Sequence, residues 1–331
     1  MGVGYGMAHA GTDRLRCSQV ASSSFMSAVP AQSRTDHIGR AIILTLVTIA
    51  VFGVQDAISK ILVQSYSPFL TTMMRFWGFA AFSLVLVLRQ APLGQALSSK
   101  VPLWQVMRGT LLILDIWCFA KALQTVPLAE LQAISLVYPL MVTLFAIPIL
   151  GEQVGLFRLV AVAVGFAGAM IIVRPGGLPL DWGVLFALAS AALYSLYIVL
   201  TRKVSQHDTA TTSMAYTGFI GLMLSTGVGV FFWQPMGWVD VALVATIMVT
   251  TCAGHGLMVL ALSWAPASVV QPFNYFALPW AIVLSVIVFG HMIDFVSLLG
   301  AVVIVGAGLV VMARESWRKR AAVEPILPGK D

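Results

Sequence analysis

Between Ile38 and Ala313 the sequence is divided into apolar runs of roughly 20 residues, the length of helix that crosses the hydrocarbon core of a bilayer. Within hydrocarbon the backbone must satisfy its own polar groups, so such runs are helices. Composition agrees: 59% of the 331 residues are hydrophobic and 10% are charged, against about 25% charged in soluble proteins. A large soluble α/β protein, with short strands and amphipathic helices, is excluded on this pattern. Ten candidate helices follow: Ile38 to Val63, Pro68 to Leu88, Val101 to Leu123, Pro127 to Leu150, Val154 to Val173, Asp181 to Leu200, Ala210 to Phe232, Val239 to Ser263, Pro266 to Phe289 and Ile293 to Ala313.

Two of these spans are alike. Pro127 to Glu152 reads PLAELQAISLVYPLMVTLFAIPILGE, and Pro266 to His291 reads PASVVQPFNYFALPWAIVLSVIVFGH. Ala122, Leu123, Pro127, Gln132 and Gly151 meet Ala261, Leu262, Pro266, Gln271 and Gly290 at one constant offset, with Pro139 and Pro279 one residue out of step. The chain is therefore an internal repeat. A proline-interrupted apolar span in each half is the arrangement from which transporters build a central binding site. The expected organisation is a disordered cytoplasmic tail over 1–37, a five-helix repeat over 38–173, a linker over 174–180, a second repeat over 181–313 and a cytoplasmic tail over 314–331. Either Met1 or Met26 is the start.

Loop charge sets the orientation. With both termini inside, the inner face receives Arg40, Arg89, Lys100, Arg108, Arg158, Arg202, Lys203, Arg314, Arg318, Lys319 and Arg320, and the outer face Lys60, Lys121 and Arg174. Five helices per half then place the halves in opposite orientations. The net charge of +6 follows from loops facing an anionic leaflet. No basic stripe with interleaved aromatics indicates nucleic acid. Small residues such as Gly165, Gly168 and Gly300 in the fifth and tenth spans fit close helix packing.

Polar groups inside the spans are the candidate site. Asp56 and Lys60 share a helical face, as either a structural pair or a substrate contact. Arg75 needs an acceptor, Asp56 or Asp115, and its fork also suits a carboxylate or phosphate. Asp115, beside Trp117, either carries a proton or neutralises Arg75. Glu130, Gln132 and Tyr138 lie on the fourth span, Tyr194 and Tyr197 on the sixth, His255 in the eighth, and Gln271, Asn274, Tyr275 and Trp280 on the ninth. The aromatics suit a flat or cationic substrate and equally serve as bundle filler. Pro139, Pro148, Pro272 and Pro279 are candidate gating points or fixed kinks.

There is no GxxxxGK[ST], HExxH or GxSxG, so nucleotide-driven transport, a zinc peptidase and a serine hydrolase have no support. Cys17, Cys118 and Cys252 are too scattered for a metal centre or a disulfide framework.

From Ile38 to Ala313 the chain resembles the drug/metabolite transporter superfamily, specifically its bacterial EamA-domain members. The resemblance rests on the short-looped helices, the two repeats and the proline-containing fourth helix ending in Gly151-Glu152, followed by Gly155 and the Gly165 to Arg174 region. The second copy departs, with Gly290-His291 in place of the acidic version. The resemblance implies an all-α polytopic inner-membrane protein of ten helices in inverted repeats, no cofactor, and a central cavity open alternately to either side. The expected function is secondary transport of a small polar or amphipathic metabolite, amino-acid-like or cationic/zwitterionic, coupled to protons or to a counter-substrate. The partners are that metabolite and the bilayer, and the chain is a monomer or homodimer. A lipid-modifying membrane enzyme and a non-transporting receptor are the alternatives.

Overall fold

A computed structural model describes residues 31–90, 92–151, 154–173, 181–265 and 270–323. Readings that fall on residues 1–30, Glu152, Arg174 and the linker to 180, Pro266 and residues 324–331 lie outside these. So do the side chains of Arg158, Gln271 and Pro272.

The helices are α1 (Ala31–Ser65), α2 (Pro68–Gln90), α3 (Pro102–Thr125), α4 in two halves (Leu128–Ser135 and Tyr138–Leu150), α5 (Leu156–Ile172), α6 (Trp182–Val204), α7 (Ala210–Gly229), α8 (Trp238–Trp264), α9 (a 3-10 segment Gln271–Phe276 followed by Ala277–Phe289) and α10 (Phe295–Val323). A one-turn helix, Leu93–Ala96, lies between α2 and α3. Among the described residues, seven helices are long and apolar enough to cross a membrane, and α5 and α9 contain shorter apolar helices. α3 carries Arg108, Asp115 and Lys121 along its length. Two boundaries depart from expectation. α1 is already helical at Ala31, and α10 continues to Val323, so both expected tails include helix.

The ends of the helices follow from local chemistry. Pro139 has no N–H to offer the Ser135 carbonyl, and α4 breaks at Leu136 and Val137. The Val137 N–H turns instead to Ile134 O at 3.1 Å. Gly151 (φ 69°) and Gly290 (φ 64°) close α4 and α9 in the left-handed conformation that glycine adopts without a steric penalty. The Asp181 carboxylate accepts the Val184 N–H at 3.0 Å to start α6, and Thr209 Oγ1 accepts the Thr212 N–H at 3.2 Å to start α7.

The repeat extends through the secondary structure at a separation of 139 positions. Helices of the two halves end together at 65 and 204, 90 and 229, 125 and 264, and 150 and 289. α5 and α10 begin together at 156 and 295, and the second half of α4 begins at 138 where its counterpart begins at 277. Packing repeats in the same way. α3 lies on α6 as α8 lies on α1, and α7 meets α3 as α2 meets α8, while α2 packs on α7, α5 on α10 and α4 on α9.

The main buried core joins α1, α3, α4, α5, α6, α9 and α10. The outer surface is apolar, with Met170 67% and Ile287 75% exposed, as lipid-facing positions require. In lipid, helices associate by close packing more than by expulsion of apolar surface. α5 and α10 show this. A Cβ on Gly168 would stand 2.8 Å from Gly300 O, and one on Gly300 2.6 Å from Gly168 O.

Candidate functional site

Three ionisable groups from the first three helices converge on the bundle interior. Asp56 on α1 accepts a hydrogen bond from Gln132 Nε2 on α4 at 3.3 Å. Asp115 on α3 is buried and accepts one from Ser190 Oγ on α6 at 2.6 Å. Arg75 on α2 interacts electrostatically with both carboxylates, yet makes no hydrogen bond among the described residues. Its planar fork thus has N–H donors without an acceptor among the described residues. His255 on α8 lies within the field of Arg75, its ring against Phe52 and Phe79 at 5.5 and 5.1 Å.

An aromatic group stands beside these charges. Tyr138, at the start of the second half of α4, meets Tyr194 edge to face at 5.1 Å, and Tyr194 stacks on Tyr197 at 5.9 Å. Tyr138 shares a hydrogen bond with Asn274 of the 3-10 segment, and Tyr194 lies within electrostatic reach of Asp115. The irregular backbone of α4 and α9 therefore brings a tyrosine and an asparagine from opposite repeats together. The arrangement offers flat faces, amide and hydroxyl groups at their edges, and a guanidinium with two carboxylates alongside.

Other candidate residues are placed elsewhere. Lys60 does not pair with Asp56. Its Nζ donates to Leu123 O and Val126 O, both at 2.8 Å, at the carboxyl end of α3. Glu130 is buried and bound through Oε1 to His291 Nε2 at 2.9 Å, while Oε2 is buried with no hydrogen-bond partner. Trp280 Nε1 donates to Ala50 O at 3.1 Å, and its ring occupies the space over Gly53. The Tyr275 hydroxyl is pressed against Gly308 of α10. Trp117 packs edge to face on Phe69 at 5.2 Å, with Nε1 buried and unpartnered. Of the four prolines, Pro139 follows the α4 break, Pro148 lies in that helix's last turn, Pro272 in the 3-10 segment and Pro279 near the start of Ala277–Phe289.

Two residues outside the expected site also make buried contacts. Ser190 gave no signal, since serine is ordinary in an apolar helix. Arg108, counted among the inner loop charges, is instead buried within α3. Its signal was its position a turn and a half inside the span. Among the described residues no group of three or more His, Cys, Asp or Glu could hold a metal. A cleft of about 630 Å³ lies between α2 and α8, lined by Phe82, Met248, Val249, Cys252, Ala253, Gly256 and Leu257. This lining suits hydrocarbon, and it includes none of the polar groups above.

Residues 39–174 and 181–313 both match the model of the EamA-like transporter family. The chain belongs to the EamA-like transporter family. It is a multi-pass membrane protein and a small-molecule transporter rather than an enzyme. Among curated relatives of this EamA-like chain, a riboflavin transporter of Rhizobium johnstonii is 29% identical over 253 residues, covering 74% of this chain and 82% of the relative. A riboflavin transporter of Vibrio cholerae is 28% identical over 261 residues, covering 78% and 87%. An S-adenosylmethionine uptake transporter of Rickettsia prowazekii is 22% identical over 270 residues, covering 82% and 91%. One crystal structure aligns over 86% of this chain and 99% of its own with a TM-score of 0.57, and at 21% identity it speaks to the fold alone.

Proposed function

We propose that this chain is a secondary active transporter that moves a flat nitrogen heterocycle bearing a hydroxylated side chain, a compound of the riboflavin kind, across the inner membrane by alternating access. The observation that carries this reading is the convergence of Tyr138, Tyr194 and Tyr197 with Asn274, Tyr194 lying within electrostatic reach of Asp115, the same carboxylate that interacts with an Arg75 that makes no hydrogen bond among the described residues. Phenol rings stack on a heterocycle, and the amide, hydroxyl and guanidinium donors meet its ring atoms and hydroxyls. The two riboflavin transporters at 29% and 28% identity support the same chemistry. A second reading, a cationic relative of S-adenosylmethionine, draws on the surplus of two carboxylates, Asp56 and Asp115, over one guanidinium.

Alternating access follows from the repeat. Ten spans with five in each unit require opposite orientations, and the exchange of helix pairings at a spacing of five supports a two-fold axis in the membrane plane. Both termini then lie on one side, which the excess of Lys and Arg in the loops of that side makes the cytoplasmic one. Asp56 and Asp115 are the leading proton carriers if transport is proton-coupled, with Glu130 and His255 secondary. Proteoliposomes loaded with unlabelled riboflavin should accumulate labelled riboflavin by saturable counterflow, and Arg75→Gln should abolish it. A parallel arm with S-adenosylmethionine separates the two readings. Absence of counterflow with both compounds would remove the substrate assignment. Flux indifferent to a pH gradient and to Asp56→Asn and Asp115→Asn would remove proton coupling.

A further inference from the structure

Arg108 is 3% exposed, and its guanidinium holds three helices together. Within α3 it donates to Gln105 Oε1 at 3.3 Å; on α6 it reaches Tyr197 OH at 3.4 Å and Thr201 Oγ1 at 3.5 Å; on α7 it reaches Ser213 O at 2.5 Å and Thr217 Oγ1 at 2.6 Å. It also lies over the Tyr197 ring at 5.4 Å. None of these acceptors is a carboxylate. Gln105 extends the network by donating to Asp208 Oδ2 at 2.9 Å, and Asp208 Oδ1 receives the Lys100 N–H at 2.9 Å. Burying this guanidinium costs desolvation that its hydrogen bonds to neutral acceptors must offset. Water can replace every one of these partners, so the contact can open without stranding a polar group.

The repeat supplies the comparison. At the spacing of 139, Arg108, Tyr197, Thr201 and Ser213 correspond to Ile247 (108 to 247), Ile58 (197 to 58), Leu62 (201 to 62) and Met74 (213 to 74). Those four side chains meet in one apolar cluster with Val244. The same helix contact is thus sealed by hydrogen bonds at one end of the bundle and by apolar packing at the other. Opening the polar end exchanges protein hydrogen bonds for water, a small net change. Opening the apolar end wets buried hydrocarbon.

We propose that Arg108 is the positioning residue of the inner gate, tying α3, α6 and α7 together at their cytoplasmic ends. Tyr197 connects this latch to the substrate site, because the ring that contacts Arg108 also stacks on Tyr194. The apolar cluster around Ile247 is the outer gate. This assignment rests on the transport reading given above.

Regional hydrogen exchange on the purified full chain in nanodiscs tests it, with riboflavin counterflow measured in parallel. Arg108→Gln should raise exchange about tenfold in 102–108, 197–204 and 210–217, while 58–66 and 243–249 stay at wild-type rates. Arg108→Lys should restore part of the protection. Thr217→Val, which removes one acceptor, should give a smaller rise in the same segments and covers a failure of Arg108→Gln to fold. Tyr194→Leu should loosen the inner segments through Tyr197. Equal rises at both ends of the bundle, or none in the inner segments, would overturn the gate. Protection that Tyr194→Leu leaves unchanged would overturn the connection to the site. The inner-segment pattern in a protein that moves no riboflavin would retain the gate and reject the substrate.

Discussion

Replacing Lys60 with methionine separates the two roles open to it, helix cap and substrate contact. Nζ lies 2.8 Å from both Leu123 O and Val126 O. The Leu123 carbonyl would normally bond the amide four residues on, but that residue is Pro127, which has no N–H. Lys60 fills this vacancy at the negative end of the α3 dipole. Each of the two hydrogen bonds from this charged donor contributes about 1.5–3 kcal/mol, and the helix terminus about 0.3–1 kcal/mol more. Fixing a long side chain offsets about 1.5–2 kcal/mol of this. Methionine keeps the apolar stem, so the net loss is about 2–4 kcal/mol. At roughly 2 °C per kcal/mol in a chain of this size, the apparent unfolding midpoint falls by about 4–8 °C. Intrinsic fluorescence on heating in detergent measures this, with counterflow per folded molecule assayed well below the midpoint. Lys60→Arg should recover part of the loss. An unchanged midpoint together with lost counterflow would refute the cap and return Lys60 to the substrate path.

Gly151→Ala and Gly290→Ala should each cost about 1–2 kcal/mol by thermal unfolding, because both have positive φ and open space where a Cβ would go. The costs should add in the double variant, since the two caps close different helices. Burial opposes ionisation of Asp208, but hydrogen bonds from Ser99, Gln105 and the Lys100 N–H outweigh it and hold this carboxyl below its usual range. Its stabilising effect is therefore complete above the unfolded carboxylate pKa of about 3.9 and is lost as pH falls through the lower folded value. The difference in unfolding midpoint between wild type and Asp208→Asn should be constant near neutrality and close only in strong acid. His291→Ala should leave Glu130 buried without its hydrogen-bond partner and cost about 1–3 kcal/mol in denaturation, largely restored by Glu130→Leu in the same chain.

Much of the framework was legible because it depends on backbone chemistry local to a residue. Gly151 and Gly290 mark left-handed helix ends, Pro139 marks the α4 break, and a constant separation between such residues carries the repeat into the helix boundaries. Side-chain partners were less legible because they are chosen by tertiary distance. Asp56 and Lys60 do share a helical face, yet one turns to Gln132 and the other to the end of α3. Glu130 finds His291 across 161 positions. Arg108 counted as a loop charge although it lies inside the third span, and its partners, hydroxyls and carbonyls of neighbouring helices, could not be read from that position. The cluster of Asp56, Arg75 and Asp115 was anticipated from the cost of charge in lipid, whereas Ser190 has no such cost and gave no warning.

The crossing of α5 and α10 has a consequence for how the two halves can diverge. At Gly168 and Gly300 each residue's missing side chain is filled by the other's carbonyl, so the obstruction is main chain and no rotamer change relieves it. A substitution in one half cannot be answered by a smaller side chain in the other, because trimming Ile304 or Ile172 would leave the opposing carbonyl in place. The final helices of the two halves are thus held to a shared minimum of bulk at this crossing. The same crossing occupies this glycine face within one molecule, so a homodimer must be assembled on a different surface.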